Sequence, residues 1–184
     1  MKKLAKKITI IKRPINKKLN KKFEGKDILI RQIPHSFYNP TKTELKKLFL
    51  KAKKEIRITT PYFVPTVPFL YMIYIAAKKG IKVKLLIPTK SDNYWVDIVS
   101  DFFANLVTRN KVEVFLHKKM THAKYIVFDN EVCTFGSNNF DYLSFHNMHE
   151  LNIISKNTKI VSPLKKLFDS DCKKATVFTT KTRR

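Results

Sequence analysis

Short runs rich in β-branched and apolar residues punctuate the chain. DILIRQI (27–33), EIRITT (55–60), IKVKLLIP (81–88), KVEVFL (111–116) and ELNIIS (150–155) each read as a β-strand, with clean polar/apolar alternation in EIRITT. Helical spacing governs the segments between them. In NPTKTELKKLFLKAKKE (39–55), Leu45, Leu48, Phe49 and Ala52 fall on one face, and Thr41 and Glu44 have capping-box spacing. FLYMIYIAAKKG (69–80) reads as a helix closed by Gly80. DNYWVDIVSDFFANLVTR (92–109) reads as another, with Asp92 at its start. TKIVSPLKKLFDSDCKKA (158–175) reads as a terminal helix with Pro163 in its first turn. AKYIVFD and VCTF, separated by Asn130-Glu131, predict a β-hairpin. The alternation of strand and helix predicts an α/β layer with a substantially parallel sheet and no internal repeat.

Composition narrows this picture. At 184 residues and 43% hydrophobic, the chain can bury a core as one domain. The two cysteines, Cys133 and Cys172, lack metal-ligand spacing and are too few for a disulfide framework, which suits a reducing setting. The longest apolar run, FLYMIYIAA (69–77), falls short of the roughly 20 residues that span a bilayer. The formal net charge of +24 favours polyanionic partners: anionic lipid surfaces, nucleic acid or phosphate-bearing substrates. A base-composition bias toward Lys, Ile and Asn accounts for it equally well. Residues 1–26 form a lysine-rich lead-in, read either as a basic arm for an anionic surface or as a solvated tail with a partly formed edge strand.

The chemistry concentrates in THAKYIVFDNEVCTFGSNN (121–139). On a strand, His122 and Lys124 project from the same face, whereas Asp129 has the opposite parity and suits bracing a turn or a neighbouring backbone. Past the hairpin, Gly136 allows a tight backbone, and Ser137 and Asn139 can aim at a common point. One cation, one imidazole, one hydroxyl and one amide suit a tetrahedral phosphate. A neutral imidazole can attack phosphorus, and a protonated one can donate to a leaving oxygen. Glu150, at the start of the next strand, is the acidic candidate to orient His122. No metal or other cofactor is called for.

The joint pattern His-x-Lys-x4-Asp-x6-Gly-Ser-x-Asn resembles the HKD signature of the phospholipase D superfamily. EIRITTPYFVPT, AAKKGIKVKLLIPTKSDNYWVDIVS and HELNI extend the resemblance to the C-terminal half of bacterial cardiolipin synthases, over roughly residues 28–165. The resemblance implies a phospholipase D-like mixed β-sheet flanked by helices over 27–184, carrying a single HKD half. It implies that His122 forms the covalent phosphatidyl adduct, that Lys124 and Asn139 hold the phosphate with Ser137 nearby, that Asp129 is structural and that Glu150 pairs with the histidine. It also implies that Pro61, Pro65 and Pro68 shape a loop near the site. Tyr62, Phe63, Tyr71, Tyr74, Tyr94 and Trp95 are candidates for an acyl-chain or headgroup entrance, or for core and interface packing.

Family members carry two HKD motifs facing one site, and this chain has one. His35, His117, His146 and His149 lack the pattern, and Tyr142 and Leu143 stand where many relatives carry basic residues. A homodimer, a separate chain carrying the other HKD half, or an inactive remnant would each account for a single motif. The expected activity is a phosphatidyltransferase acting on a phosphatidylglycerol-like anionic phospholipid, peripheral on the cytoplasmic side of the cell membrane. The alternative is a homodimeric phosphodiesterase of the same superfamily acting on nucleic acid.

Overall fold

The strand-forming runs assemble into one mixed sheet in a computed structural model that describes residues 9–11, 27–35 and 38–179. The strands are β1 (Thr9–Ile11), β2 (Ile28–Gln32), β3 (Glu55–Thr59), β4 (Lys82–Pro88), β5 (Glu113–His117), β6 (Tyr125–Phe128), β7 (Val132–Gly136), β8 (Glu150–Ser155) and β9 (Thr176–Val177). Their order across the sheet is β1-β2-β8-β7-β6-β3-β4-β5-β9. The helices are α1 (Pro40–Lys51), α2 (Val67–Lys78), α3 (Tyr94–Thr108), α4 (Tyr142–His146) and α5 (Thr158–Lys174).

The sheet is parallel across β3-β4-β5 and between β1 and β2, and antiparallel elsewhere. The expectation of a substantially parallel sheet therefore holds only for its β3–β5 part and its β1–β2 edge. Crossovers through α2 and α3 are long enough to return the chain in the same direction, whereas the tight β6–β7 turn must reverse it. In that turn Asp129 and Asn130 both take positive φ, +51° and +61°, and Glu131 N donates to Phe128 O at 3.0 Å. The turn is centred on Asp129-Asn130, one residue before the predicted pair, because Asp and Asn tolerate the left-handed region that such a turn demands.

Period-2 alternation splits the core between the two faces. Ile126 and Phe128 join Ile56, Ile58, Val83 and Leu85 beneath α1, α2, α3 and α4. Tyr125 and Val127 face the other way and pack with Cys133 and Leu86 against Val161 and Phe168 of α5. Cys133 and Cys172 are both free.

Two helix caps and the placement of one proline differ from expectation. Asn39, not Thr41, caps α1, accepting from Lys42 N at 2.9 Å, and Glu44 pairs instead with Lys47 at 2.7 Å. Asn93, not Asp92, caps α3, accepting from Trp95 N and Val96 N. Asn157 caps α5, so Pro163 falls inside the helix beyond its first turn. In each case an asparagine just upstream supplies the side-chain oxygen that satisfies the first free amides. Gly80, at φ +81°, closes α2 as predicted. Of residues 1–26, Thr9–Ile11 pairs with Ile28–Ile30 as an edge strand, and the rest of the predicted basic arm lies outside the described residues.

Candidate active site

His122 and Lys124 lie in the extended stretch that leads into β6. His122 is exposed, whereas Lys124 is buried at 8% exposure. The Lys124 ammonium lies 2.8 Å from His122 Nδ1, 3.1 Å from Nε2 and 2.8 Å from the His122 carbonyl oxygen. Residues two apart on an extended chain share a face, which is what brings these groups together. Burial lowers the Lys124 pKa, and the nearby Glu150 and Asp141 carboxylates oppose that shift.

The second half of the motif enters beside Lys124, because Gly136 N donates to Lys124 O at 3.2 Å. Close strand approach explains the glycine. A Cβ at this position would collide with Leu151 O and lie 2.5 Å from Asn152 Oδ1. Ser137 Oγ donates to the Glu150 carboxylate and accepts from Leu151 N at 2.9 Å. Glu150, 6% exposed, thus engages Ser137, while His122 contacts Lys124 and the ring of Tyr62. Asn139 offers its Oδ1 buried and without a hydrogen-bond partner, so this amide is held in place by its backbone. Asn139 N donates to Ser144 Oγ at 3.2 Å, and Thr60 Oγ1 reaches Asn139 O at 2.9 Å.

Asp129 stands at the opposite end of β6 from His122. Its carboxylate accepts from the backbone amides of Lys53, Lys54 and Glu55 at 2.8, 2.7 and 2.9 Å. Burial works against its charge, but these amides and the Lys54 charge prevail and hold the carboxyl below its usual range. Asp129 therefore clamps the α1–β3 junction to the hairpin.

A buried polar layer supports the loop after Gly136, and sequence reasoning missed it. Asn138, fully buried, accepts from Phe140 N at 2.7 Å and donates to Gln32 Oε1 at 3.4 Å. Gln32 in turn donates to Ser144 O, and Asn152 Nδ2 reaches Thr41 Oγ1 at 3.4 Å. The available signal was polar residues at strand positions otherwise reserved for apolar ones: Gln32, Asn152 and the middle of GSNN. Asp141 was missed as well; it caps α4 by accepting from Ser144 N at 2.7 Å and bridges to Pro65 in the TPYFVP loop.

That loop delivers Tyr62 to the site. Its ring meets the His122 ring edge-on at 6.4 Å, and its hydroxyl donates to Asp92 at 2.7 Å. The bond to Asp92, with burial, pushes the Tyr62 phenol up to about 12. Asp92 is thus a partner of Tyr62 rather than a helix cap. Phe63 is core, at 1% exposure, while Tyr71, Tyr94 and Trp95 are largely exposed. A cavity of about 390 Å³ opens on the Ser137–Glu150 side, walled by Arg31, Gln32, His149 and Leu151. His146 lies outside this cluster, 2.7 Å from Lys42 Nζ. Among the described residues, no group of three or more His, Cys, Asp or Glu is placed to hold a metal, and no helix is long and apolar enough to cross a membrane.

An exposed imidazole, a buried ammonium, a hydroxyl–carboxylate pair and an unpartnered amide oxygen thus gather at one end of β6, β7 and β8. Solved structures share the frame around them. A phospholipase D family member, Nuc from Salmonella typhimurium, superposes with a TM-score of 0.68 at 17% identity, covering 83% of this chain and 99% of that one. Phosphatidylserine synthase from Haemophilus influenzae Rd KW20 gives 0.67 at 14% identity, over 85% of this chain and 41% of that one. At the level of sequence, a cardiolipin synthase of Clostridium perfringens (strain SM101 / Type A) is 32% identical over 158 residues, 83% of this chain and 33% of the relative. A cardiolipin synthase of Listeria welshimeri is also 32% identical over 158 residues, again 33% of its length. The chain therefore spans about a third of the length of the curated relatives it matches. The family described as "Cardiolipin synthase, PLD-like domain" matches residues 45–172, and the chain belongs to that phospholipase D-like family.

Proposed function

We propose that this chain supplies one HKD half of a phosphatidyltransferase of cardiolipin-synthase type. The observation that carries the reading is the exposed His122 imidazole backed by the buried Lys124 ammonium at 2.8 Å. In a low-dielectric setting such an ammonium is well suited to neutralise a phosphodiester anion. Ser137 and Asn139 follow Gly136 at the same end of the sheet, and Glu150 anchors the Ser137 hydroxyl.

The reaction divides between two imidazoles, one from each half. The first attacks phosphorus, forming an N–P bond as the P–O bond to the leaving alcohol breaks. The second, protonated, gives its proton to that departing oxygen. An acceptor hydroxyl then passes its proton back to the second imidazole and displaces the first, regenerating both. His122 is one member of this pair, and its counterpart comes from a second copy or from a separate chain carrying the other HKD half. The substrate is an anionic phospholipid resembling phosphatidylglycerol. Lys124, Ser137 and Asn139 hold its phosphate, Asp129 keeps the hairpin in register, and no cofactor enters the scheme.

A second reading draws on the net charge of +24: a homodimeric phosphodiesterase acting on nucleic acid, whose phosphate backbone such a charge would track. One experiment separates the two. Molar mass is measured in mild detergent alongside transfer from labelled phosphatidylglycerol and cleavage of single- and double-stranded DNA, with His122→Ala as control. Lipid turnover that falls by at least about 10³-fold in His122→Ala, in line with loss of a covalent or acid–base group, supports the transferase. DNA cleavage with no lipid turnover replaces it with the nuclease. A folded chain inactive toward both, alone and with an added N-terminal HKD half, overturns both.

A further inference from the structure

The residues that α3 turns toward the sheet are small and those it turns away are large. Its buried positions are Ser100, Ala104 and Val107. Trp95 is 74% exposed, Phe102 66% and Ile98 45%, with Val99 and Leu106 also exposed. The spacing 95, 98, 99, 102, 106 places these five on one stripe at the helical period, opposite the buried face. Contiguous exposed apolar surface of this kind marks a contact site.

Three features identify what covers it. First, the stripe starts at the mouth of the candidate active site: the Tyr62 ring meets His122, the Tyr62 hydroxyl binds Asp92, and Tyr94 and Trp95 open the helix two residues later. Second, cations bracket it. Exposed Arg109 ends the stripe and shares a cavity with Lys78, Lys111 and Tyr74, and exposed Lys90 precedes its start. Of the acids of α3, Asp97 turns away from it, its carboxylate accepting from Ser91 N, and Asp101 lies at its edge, one turn beyond Ile98. Third, Trp and Tyr at one end, aliphatics and Phe along the middle and basic residues at the margins form the amphipathic pattern of an element lying in a lipid headgroup layer. A second copy would face these cations with its own, against a net charge of +24 on each chain.

We infer that the exposed face of α3 docks on an anionic lipid surface, with Trp95, Ile98 and Phe102 entering the headgroup–acyl boundary and Arg109, Lys78 and Lys111 contacting lipid phosphates. Docked this way, the Tyr94–Trp95 end of the stripe holds the lipid surface beside the Asp92–Tyr62–His122 edge of the site. The inference rests on the lipid reading of the site, and it fails separately from it.

Trp95 is the single tryptophan, so the full chain carries its own reporter. Its emission is recorded with vesicles of phosphatidylglycerol, of phosphatidylcholine, and of phosphatidylglycerol with brominated acyl chains. The expected result is a shift to shorter wavelength and quenching by the brominated lipid, with phosphatidylglycerol but not with phosphatidylcholine. Ile98→Asp/Phe102→Asp is expected to weaken partitioning by about tenfold or more, since two apolar anchors leave the interface. Both positions are exposed, so its melting temperature should match the parent. The wild-type quenching stands on its own should that variant fail to fold.

Sedimentation with phosphatidylglycerol vesicles while Trp95 keeps its solvent emission would overturn the inference in favour of lysine-only adsorption. A blue-shifted Trp95 before lipid is added, accompanied by a doubled molar mass, would overturn it in favour of a second copy on this face. Turnover of a short-chain substrate in solution without vesicle partitioning would sink this inference and leave the transferase standing; partitioning without turnover, alone and with an added N-terminal HKD half, would do the reverse.

Discussion

At the scale of single residues, two positions carry the geometry of the site without touching a substrate. Gly136 lets β7 and β8 close on each other next to Lys124, since a methyl group there would meet Leu151 O and Asn152 at contact distances no real Cβ occupies. Backbone cannot step aside as a flexible side chain can. Gly136→Ala should therefore lower stability by about 1–3 kcal/mol, the usual range for overpacking, read as a shift in the urea midpoint. Asp129 is the second. Its folded pKa is depressed, so its contribution to stability is present above the ordinary carboxylate range and is lost as pH falls through the folded value. Asp129→Asn keeps one acceptor and tolerates the positive φ, whereas Asp129→Ala removes both acceptors for the Lys53, Lys54 and Glu55 amides. The expected order of melting temperatures at neutral pH is parent, then Asn, then Ala, the last less stable by roughly 1–3 kcal/mol. The gap between parent and Asn should narrow as pH falls below the ordinary carboxylate value and through the depressed folded one. A gap unchanged with pH would remove the carboxylate from the account. The parity of Asp129 along its strand was legible in the sequence, and so was a bracing role; that its partners lie at residues 53–55 was not, because no local pattern encodes which distant backbone arrives at a turn.

At the scale of elements, the sequence was most legible where one period dominates. The strands at 55–59 and 150–155 and the Gly80 helix stop emerged close to prediction, since alternation and a left-handed glycine are each local signals. Helix starts were less legible because two signals compete within a few residues. Thr41 and Glu44 have the right spacing for a cap, yet Asn39 stands two residues upstream with Pro40 behind it, and Pro is favoured in the first turn. Asn39 also donates through Nδ2 to Phe145 O at 2.6 Å, tying the start of α1 to α4. Asn39→Ala should thus cost about 1–2 kcal/mol, a lost cap plus a lost tertiary bond. Thr41→Ala should cost under about 1 kcal/mol, since its hydroxyl makes one long contact, 3.4 Å from Asn152 Nδ2. Equal losses in chemical denaturation would return the cap to Thr41. The short α4 was not foreseen: five residues carry too little periodicity, and beyond its local Asp141 cap its place is set by Gln32 donating to Ser144 O, a contact between residues far apart in the chain.

At the scale of the whole molecule, charge is the dominant long-range term. Thirty-eight Lys and Arg face fourteen Asp and Glu, a net +24. Such an excess raises the free energy of the compact state, because folding brings like charges nearer together. Favourable pairs offset little of it. Lys82–Glu113, at 3.5 Å with side chains 55% and 45% exposed, is of the kind worth about 0–1 kcal/mol. The Arg57 contacts with Glu55 and Asp169 are better shielded, with the Arg57 side chain 6% exposed, and salt reaches such a pair weakly. Screening should then remove more repulsion than attraction. Between about 0.01 and 0.1 M salt the Debye length falls from about 30 to about 10 Å, which is long enough at the start to span much of the molecule and short at the end. The melting temperature should rise across that interval, by about 2–4 °C if the relief approaches 1 kcal/mol. A melting temperature that falls instead would mean that attractive pairs, not net charge, govern the fold. The same salt should weaken adsorption to anionic vesicles, because screening attenuates the attraction between lysines and lipid phosphates. Stability and surface attachment are therefore expected to respond to ionic strength in opposite directions. That divergence follows if the positive excess disfavours the isolated fold and becomes favourable only when an anionic surface faces it.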